Sequence, residues 1–324
     1  MDRNTAAFIM PVYTDNFSDF KEIFIKSIDS ILNQTDNNLI LVIIDDKSQD
    51  KTIIDFINDL IKKDNRVHLI KSKKNKGPGY ARNLGIKYVY SLNIPFILFN
   101  DADDISDLNR LKLTREKFNF DRNINVVYSS FKVIDEKDNI VPYNKICDSI
   151  KEILDGHKTD IVEGEDSWIK IALVKNYTNL TSATSVRTSL AIKELFPQKR
   201  VSEDSHTWLR YGANPGKFFF ANNFYTYYRI KTSTESSSRA RHKNFYKLKA
   251  ATDIEGYKKA EKIYIAKNNK NIDKNQLKIN KAKFLYKESI SIALGNDYKT
   301  ASKILKSSLK LNAEETFKNI LSKE

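Results

Sequence analysis

The chain has 324 residues, of which 40% are hydrophobic, and its 55 Lys and Arg outweigh 41 Asp and Glu to give a net charge of +14. This length and apolar content support one large or two modest packed domains and exclude a disordered chain. The lone cysteine, Cys147, excludes an intrachain disulfide; Met1-Asp2-Arg3-Asn4-Thr5 lacks a signal-peptide pattern, and apolar runs such as Leu39 to Ile44 are too short to span a bilayer, so the expected setting is cytoplasmic, peripheral at the inner face of a membrane at most.

Ala7 to Met10 reads as a first strand, left through Pro11-Val12-Tyr13, where proline fixes a turn and the backbone is free to face a planar base. Phe20 to Leu32 carries apolar residues at Phe20, Ile23, Phe24, Ile28, Ile31 and Leu32, the spacing of an amphipathic helix. Leu39 to Ile44 is a second strand, followed by Asp45-Asp46-Lys47-Ser48-Gln49-Asp50. These carboxylates either cap the next helix, Thr52 to Ile61, or accept a hydrogen bond from the ring N–H of a uracil-type base at Asp46. Val67 to Ile70 is a third strand. Gly77-Pro78-Gly79-Tyr80-Ala81-Arg82-Asn83-Leu84-Gly85 then opens a helix running to Ser91, whose N-terminus favours an anion and whose Arg82 has the reach of a diphosphate.

Phe96 to Phe99 is the fourth strand, and Asn100-Asp101-Ala102-Asp103-Asp104 follows it. An Asp-x-Asp pair beyond a strand end is able to hold a divalent cation from one side and leave the other side for phosphate oxygens. Repeated β–α units with continuous apolar strands predict a mostly parallel sheet covered on both faces, with its ligand site at the carboxyl ends. From about Ala240 the pattern turns helical, with Ile279 to Leu294 and Tyr298 to Leu311 turning at Gly295-Asn296-Asp297. Residues 241–324 hold +11 of the net charge, which suits an anionic membrane surface or a solvated lysine face; no nucleic-acid motif is present, and no nucleic-acid partner is expected.

In this order and spacing, Pro11-Val12-Tyr13-Thr14, Ile44 to Thr52, Ala81-Arg82-Asn83-Leu84-Gly85 and Asp101-Ala102-Asp103 resemble the motifs of the family 2 glycosyltransferases, the large GT-A group. That family typically shows Pro-x-Tyr-Asn, Val-Asp-Asp-Gly-Ser-x-Asp-x-Thr, Ala-Arg-Asn-x-Gly and Asp-x-Asp; here Thr14 replaces Asn and Lys47 replaces the loop glycine. Glu203-Asp204 ahead of Trp208-Leu209-Arg210 resembles its Glu-Asp catalytic segment, and Tyr227-Tyr228-Arg229-Ile230-Lys231 its closing Tyr-Arg-x-His, with Lys231 in place of the histidine.

The resemblance implies an α/β GT-A fold over residues 1–238, with a basic helical appendage over 239–324. It implies inverting transfer of a sugar from a nucleotide-diphosphate donor, taken as a UDP-sugar, to a hydroxyl of a glycan or lipid-linked acceptor. Asp204 would be the general base and Glu203 its neighbour in catalysis. Asp101 and Asp103 would hold Mn²⁺ or Mg²⁺. Pro11, Val12, Tyr13, Asp45, Asp46, Gly79, Arg82, Asn83, Asp101, Ala102, Arg229 and Lys231 would line the donor, and Trp208, His206 and Arg187 the acceptor. A second Glu-Asp with tryptophan, Glu165-Asp166-Ser167-Trp168, competes for the base. On the residues alone, a nucleotidyltransferase and a non-catalytic basic scaffold stay open as other readings.

Overall fold

The computed structural model describes residues 4–174, 179–230, 242, 244–268 and 272–321. Four strands, β1 (Ala6–Val12), β2 (Leu39–Asp45), β3 (Val67–Lys71) and β4 (Phe96–Phe99), run parallel in the order β3-β2-β1-β4. Every residue of β1, β2 and β4 is buried, which is why their sequences are unbroken apolar runs rather than alternating ones. Alternate side chains still part to opposite faces. Ala7, Ile9, Ile40, Val42 and Ile44 enter one core, whereas Phe8, Met10, Leu39, Leu41 and Ile43 enter another with Phe24, Ile28, Ile31, Ile53 and Ile57. These last five belong to helices α1 (Lys21–Leu32) and α2 (Thr52–Lys63), whose amphipathic spacing is that of the sequence.

Beyond β4 the sheet continues through strands that the apolar pattern did not reveal: β7 (Thr184–Arg187), β6 (Ile124–Ile134), β8 (Lys217–Arg229) and the two-residue β5 (Ile105–Ser106). β7 is antiparallel to both β4 and β6, and β5 to β8, while β6 and β8 pair in parallel through two irregularities. The result is one eight-stranded mixed sheet.

Helix α3 (Pro78–Ser91) starts with proline in its first turn, behind Gly77 at φ 89°. It lies close on the sheet because Gly85 faces Ile9 and Ile44; a Cβ there would stand 2.9 Å from a methyl of each. α4 (Arg110–Phe120) covers the other face, and α5 (Asp148–Thr159), α6 (Ser167–Leu173) and α7 (Thr188–Lys193) precede α8 (Glu203–Ala213). α8 seats Trp208 between Phe99 and Phe196, with ring centroids 6.3 and 5.8 Å away.

The expected carboxy-terminal helices are present as α9 (Phe245–Asn268), α10 (Lys274–Leu294), α11 (Tyr298–Leu311) and α12 (Ala313–Leu321). They do not build a core of their own alone. Tyr257 and Ala260 of α9 and Phe284 of α10 belong to the same core as Ile9 and Trp208, and Tyr257 stacks on Phe284 at 4.4 Å. Among the described residues no helix is long and apolar enough to cross a membrane.

Helices α6 and α8 approach each other through backbone at Gly212. A Cβ on Gly212 of α8 would stand 2.6 Å from the Trp168 backbone nitrogen in α6, where no side chain is able to swing away. Gly212→Ala is expected to lower the free energy of unfolding by about 1–3 kcal/mol. Gly85→Ala, which meets only methyl groups, is expected to cost less. Urea unfolding of the two variants checks the order, and equal stability of Gly212→Ala and the parent protein would contradict it.

Candidate active site

The carboxyl ends of β1, β2 and β4 share one edge of the sheet, and the first turns of α3 and α8 converge on it. Arg82, in the first turns of α3, has a side chain only 4% exposed. Its Nη2 donates to Asp101 Oδ1 at 2.6 Å, and its Nη1 donates to Glu203 Oε1 at 3.3 Å. Burial opposes the guanidinium charge, but Asp101 and then Glu203 outweigh it and raise its pKa. Gly79, one turn earlier, makes room for this meeting; a Cβ there would stand 3.0 Å from Glu203 Cγ. Asn83 holds the neighbouring segment by donating to the Phe196 carbonyl at 2.9 Å and accepting from the Phe196 N–H at 2.8 Å.

The acidic turn after β4 divides its three carboxylates. Asp101 is partly exposed and paired with Arg82, Asp103 is exposed, and Asp104 is fully buried. Burial, then Asp103 and Asp101, push the Asp104 pKa well above the carboxylate range, although its Oδ1 accepts the Arg229 N–H at 2.8 Å. Beneath it lies Arg110, also fully buried, donating to the Phe99 and Thr184 carbonyls at 3.0 and 3.1 Å. Burial lowers the Arg110 pKa to about 9, and the Asp104 charge resists that fall. Ala102 is buried in the turn, between Asp101 and Asp103.

Arg229 does not reach outward to a donor phosphate. Its Nε donates to the Asp103 carbonyl at 2.8 Å, its Nη1 to the Asp135 carbonyl at 2.7 Å, and its Nη2 pairs with Asp138 at 2.6 Å. The residue therefore braces the backbone of the acidic turn. Lys231 lies outside the described residues. Among the described residues no group of three or more His, Cys, Asp and Glu is arranged to hold a metal ion. Asp101 and Asp103 still suit Mg²⁺ or Mn²⁺ in kind, since both are hard oxygen donors at an open edge where phosphate and water complete a shell. A cation there would share Asp101 with Arg82.

On the nucleotide side, Pro11 and Val12 do not form a turn: they are the buried last residues of β1, paired with Ile44 and Asp45. Tyr13 is the first exposed residue, its hydroxyl donating to Asp15 at 2.5 Å. Asp45 accepts the Ser48 N–H at 2.8 Å, a loop-closing contact. Asp46 is 3% exposed and accepts N–H groups of Lys76 at 3.1 Å and Gly77 at 2.7 Å. Burial raises its pKa despite those donors. Lys47, standing where the family carries glycine, adopts φ 63°. The loop thus requires the left-handed conformation even with a side chain present.

α8 begins at Ser202, which has φ 61° and makes no side-chain cap to its own helix. Glu203 is buried, and burial raises its pKa while Arg82 opposes the rise. Asp204 is half-buried; burial and then Glu203 push its pKa up to about 7. The three acceptor candidates fall elsewhere. Trp208 is core, 1% exposed. His206 faces α9, accepts from Arg210 Nε at 3.1 Å, and is held neutral by burial, which brings its pKa to about 3. Arg187 pairs with Phe96 at the amino end of β4, donating to the Ile124 and Phe118 carbonyls, so it is at the far end of the sheet. The rival pair is far too: Asp166, at φ 52°, begins α6 beside the Gly212 end of α8 and pairs with Lys267 at 3.0 Å. Sequence reasoning missed Arg110 and the separate fate of Asp104, since a buried arginine in a helix of otherwise ordinary polarity leaves no periodic signal.

The raised Asp204 has a measurable sign. In the folded state it keeps its proton to about pH 7, whereas its ordinary pKa is 3.8. Between those values the folded protein binds more protons than the unfolded chain, so this group's contribution to stability falls as pH rises. Asp204→Asn cannot ionise and removes that slope. The variant is expected to gain stability relative to the parent between about pH 4 and about pH 8, read from urea unfolding across the range. Parallel curves for the two proteins would refute the shift.

Comparison with known proteins agrees with this geometry. The family model described as glycosyl transferase family 2 matches residues 7–177. An uncharacterised glycosyltransferase of Methanocaldococcus jannaschii is 27% identical over 247 residues, 76% of this chain and 78% of that one. A UDP-Glc:alpha-D-GlcNAc-diphosphoundecaprenol beta-1,3-glucosyltransferase of Escherichia coli is 26% identical over 54% of this chain and 72% of its own length. Among solved structures, S. aureus TarS in complex with UDP-GlcNAc superposes with a TM-score of 0.57 over 97% of this chain and 92% of that chain, at 16% identity. The strand ends, the Arg82 bridge and the matched sequence lead to one conclusion: this chain belongs to glycosyl transferase family 2 and is a glycosyltransferase with the GT-A fold.

Proposed function

We propose that the protein transfers a sugar, with inversion, from a UDP-sugar to a hydroxyl of a glycan or lipid-linked acceptor, with Asp204 as general base. The single observation that carries the proposal is the Arg82 bridge, which joins the acidic turn after β4 to the Glu203-Asp204 turn of α8. One group thereby brings a diphosphate-side carboxylate and a candidate base to the same edge. A pKa near 7 suits a base that must both take and release a proton at neutral pH. The glucosyltransferase relative, named for UDP-Glc and a lipid-diphosphate acceptor, supports the choice of substrates.

In this reading Asp46 takes the ring N–H of the base with its remaining acceptor capacity, and Tyr13 borders the nucleotide. Arg82 supplies positive charge toward the diphosphate. Asp101 and Asp103 are the side chains that would hold Mn²⁺ or Mg²⁺, and a bound cation stabilises the charge that develops on the leaving nucleotide. Asp204 takes the acceptor proton as the hydroxyl oxygen attacks the anomeric carbon from the face opposite the diphosphate. Glu203 keeps Arg82 in place. Trp208, His206 and Arg187 have no part in acceptor binding. Residues 1–238 carry all of this chemistry, and residues 239–324 are assigned the support of α8 and, through exposed lysines such as Lys299, Lys303, Lys306 and Lys310, contact with an anionic membrane at its cytoplasmic face.

The test is a panel of nucleotide sugars assayed for metal-dependent release of the nucleotide, with and without polyprenyl-diphosphate sugars as acceptors. Faster turnover of a UDP-sugar than of the other nucleotides is expected, and a chain inert toward all of them would sink the proposal. Asp103→Ala is expected to abolish the Mn²⁺-dependent part of UDP binding in calorimetry, and unchanged binding would remove it from the cation site.

A matched pair of variants examines the base. Asp204→Asn is expected to keep UDP affinity and lose about 10²–10⁴-fold in transfer. Asp166→Asn is expected to stay close to the parent. The reverse outcome would move the base to α6.

A further inference from the structure

Ser202 is a residue type that normally caps a helix by accepting an N–H of its own first turn. Here it does not. Its hydroxyl instead donates to Asp253 Oδ1 of α9 at 2.6 Å, 51 positions along the chain. Asp253 is 3% exposed, and its Oδ2 accepts from Lys249 Nζ at 2.6 Å. Two further contacts, made by Gly256 and Glu255, fix α9 against this end of α8. The left-handed Ser202, at φ 61°, is a strained conformation that persists only where neighbours hold it. Gly256, one turn beyond Asp253, lets α9 approach so closely that a Cβ would stand 2.9 Å from His206 Cα. Glu255 of α9 pairs with Lys199, just ahead of α8, at 3.0 Å. The residues that directly follow Ser202 are Glu203 and Asp204.

We propose that Asp253 is a positioning residue for Asp204: by accepting the Ser202 hydroxyl it fixes the first turn of α8, and with it the carboxylate that takes the acceptor proton. The inference rests on the reading of Asp204 as the base. It turns α9 from a cover over the catalytic sheet into a working part of the site. The charged groups facing Asp204 are Glu203 on its own helix, Arg82 from α3 and Asp253 from α9. Loss of the Ser202 bond would free the turn and let water reach Asp204, and loss of the Asp253 charge would remove a nearby negative neighbour. Both changes act in the same direction.

The experiment follows the protonation midpoint of Asp204 in the full-length protein by carbon-13 NMR of aspartate labelled at Cγ, with the signal identified by its absence from Asp204→Asn. In Ser202→Ala the midpoint is expected to fall by about half a pH unit or more. Ser202→Gly, which also removes the hydroxyl and accepts the left-handed backbone without strain, is a second route to the same fall should the first variant not fold. A folded variant of either kind whose midpoint equals or exceeds that of the parent overturns the proposal. Full transfer activity of Asp204→Asn would defeat the base reading instead, and the two failures are told apart because only the first appears in the titration.

Discussion

The site depends on one buried cation. Arg82 is the point at which the sheet, through Asp101, and the later helical half, through Glu203, are tied together. A guanidinium fits this task because its planar fork serves two carboxylates at once and stays charged when buried. The pair is costly to disrupt from either side: removing one partner of a buried ion pair typically costs about 3–5 kcal/mol, since the other charge is left uncompensated. The glycine at position 79, the Asn83–Phe196 clasp and the proline start of α3 are all arranged around getting this one side chain into place.

The first half of the fold was readable because parallel strands buried on both faces have nothing to alternate. Ala7 to Met10 and Leu39 to Ile44 lie within β1 and β2, and the helix spacing of Phe24, Ile28 and Ile31 points at the core they fill. The same logic failed after residue 105. β5 is two residues long, and β6 to β8 mix directions, so neither a continuous run nor a regular β–α rhythm marks them.

The site residues divide in the same way. Position beyond a strand end is visible in the sequence, and it singles out Asp46, Asp101 and Asp103 as candidates. Side-chain fate is not visible. Asp101, Asp103 and Asp104 are chemically alike, yet register and the reach of Arg229 and Arg110 make one an ion-pair partner, one an exposed carboxylate and one a buried acid. Trp208, His206 and Arg187 show the converse: residue types common in sugar sites, used here for a core, an interhelical contact and a chain brace. Only contacts distant in sequence separate those uses.

The bond between Ser202 and Asp253 also has a consequence in time. A ribosome adds about 5–20 residues per second, so Asp253 follows Ser202 by roughly 3–10 s. For nearly all of that interval the growing chain contains the sequence of β1 to β7 with Arg82, Asp101 and Glu203, but the left-handed serine at the start of α8 still lacks its Asp253 partner. The turn bearing Glu203 and Asp204 therefore gains this contact late, and a chain interrupted shortly after β8 would contain all eight strands without the Asp253 contact at the start of α8.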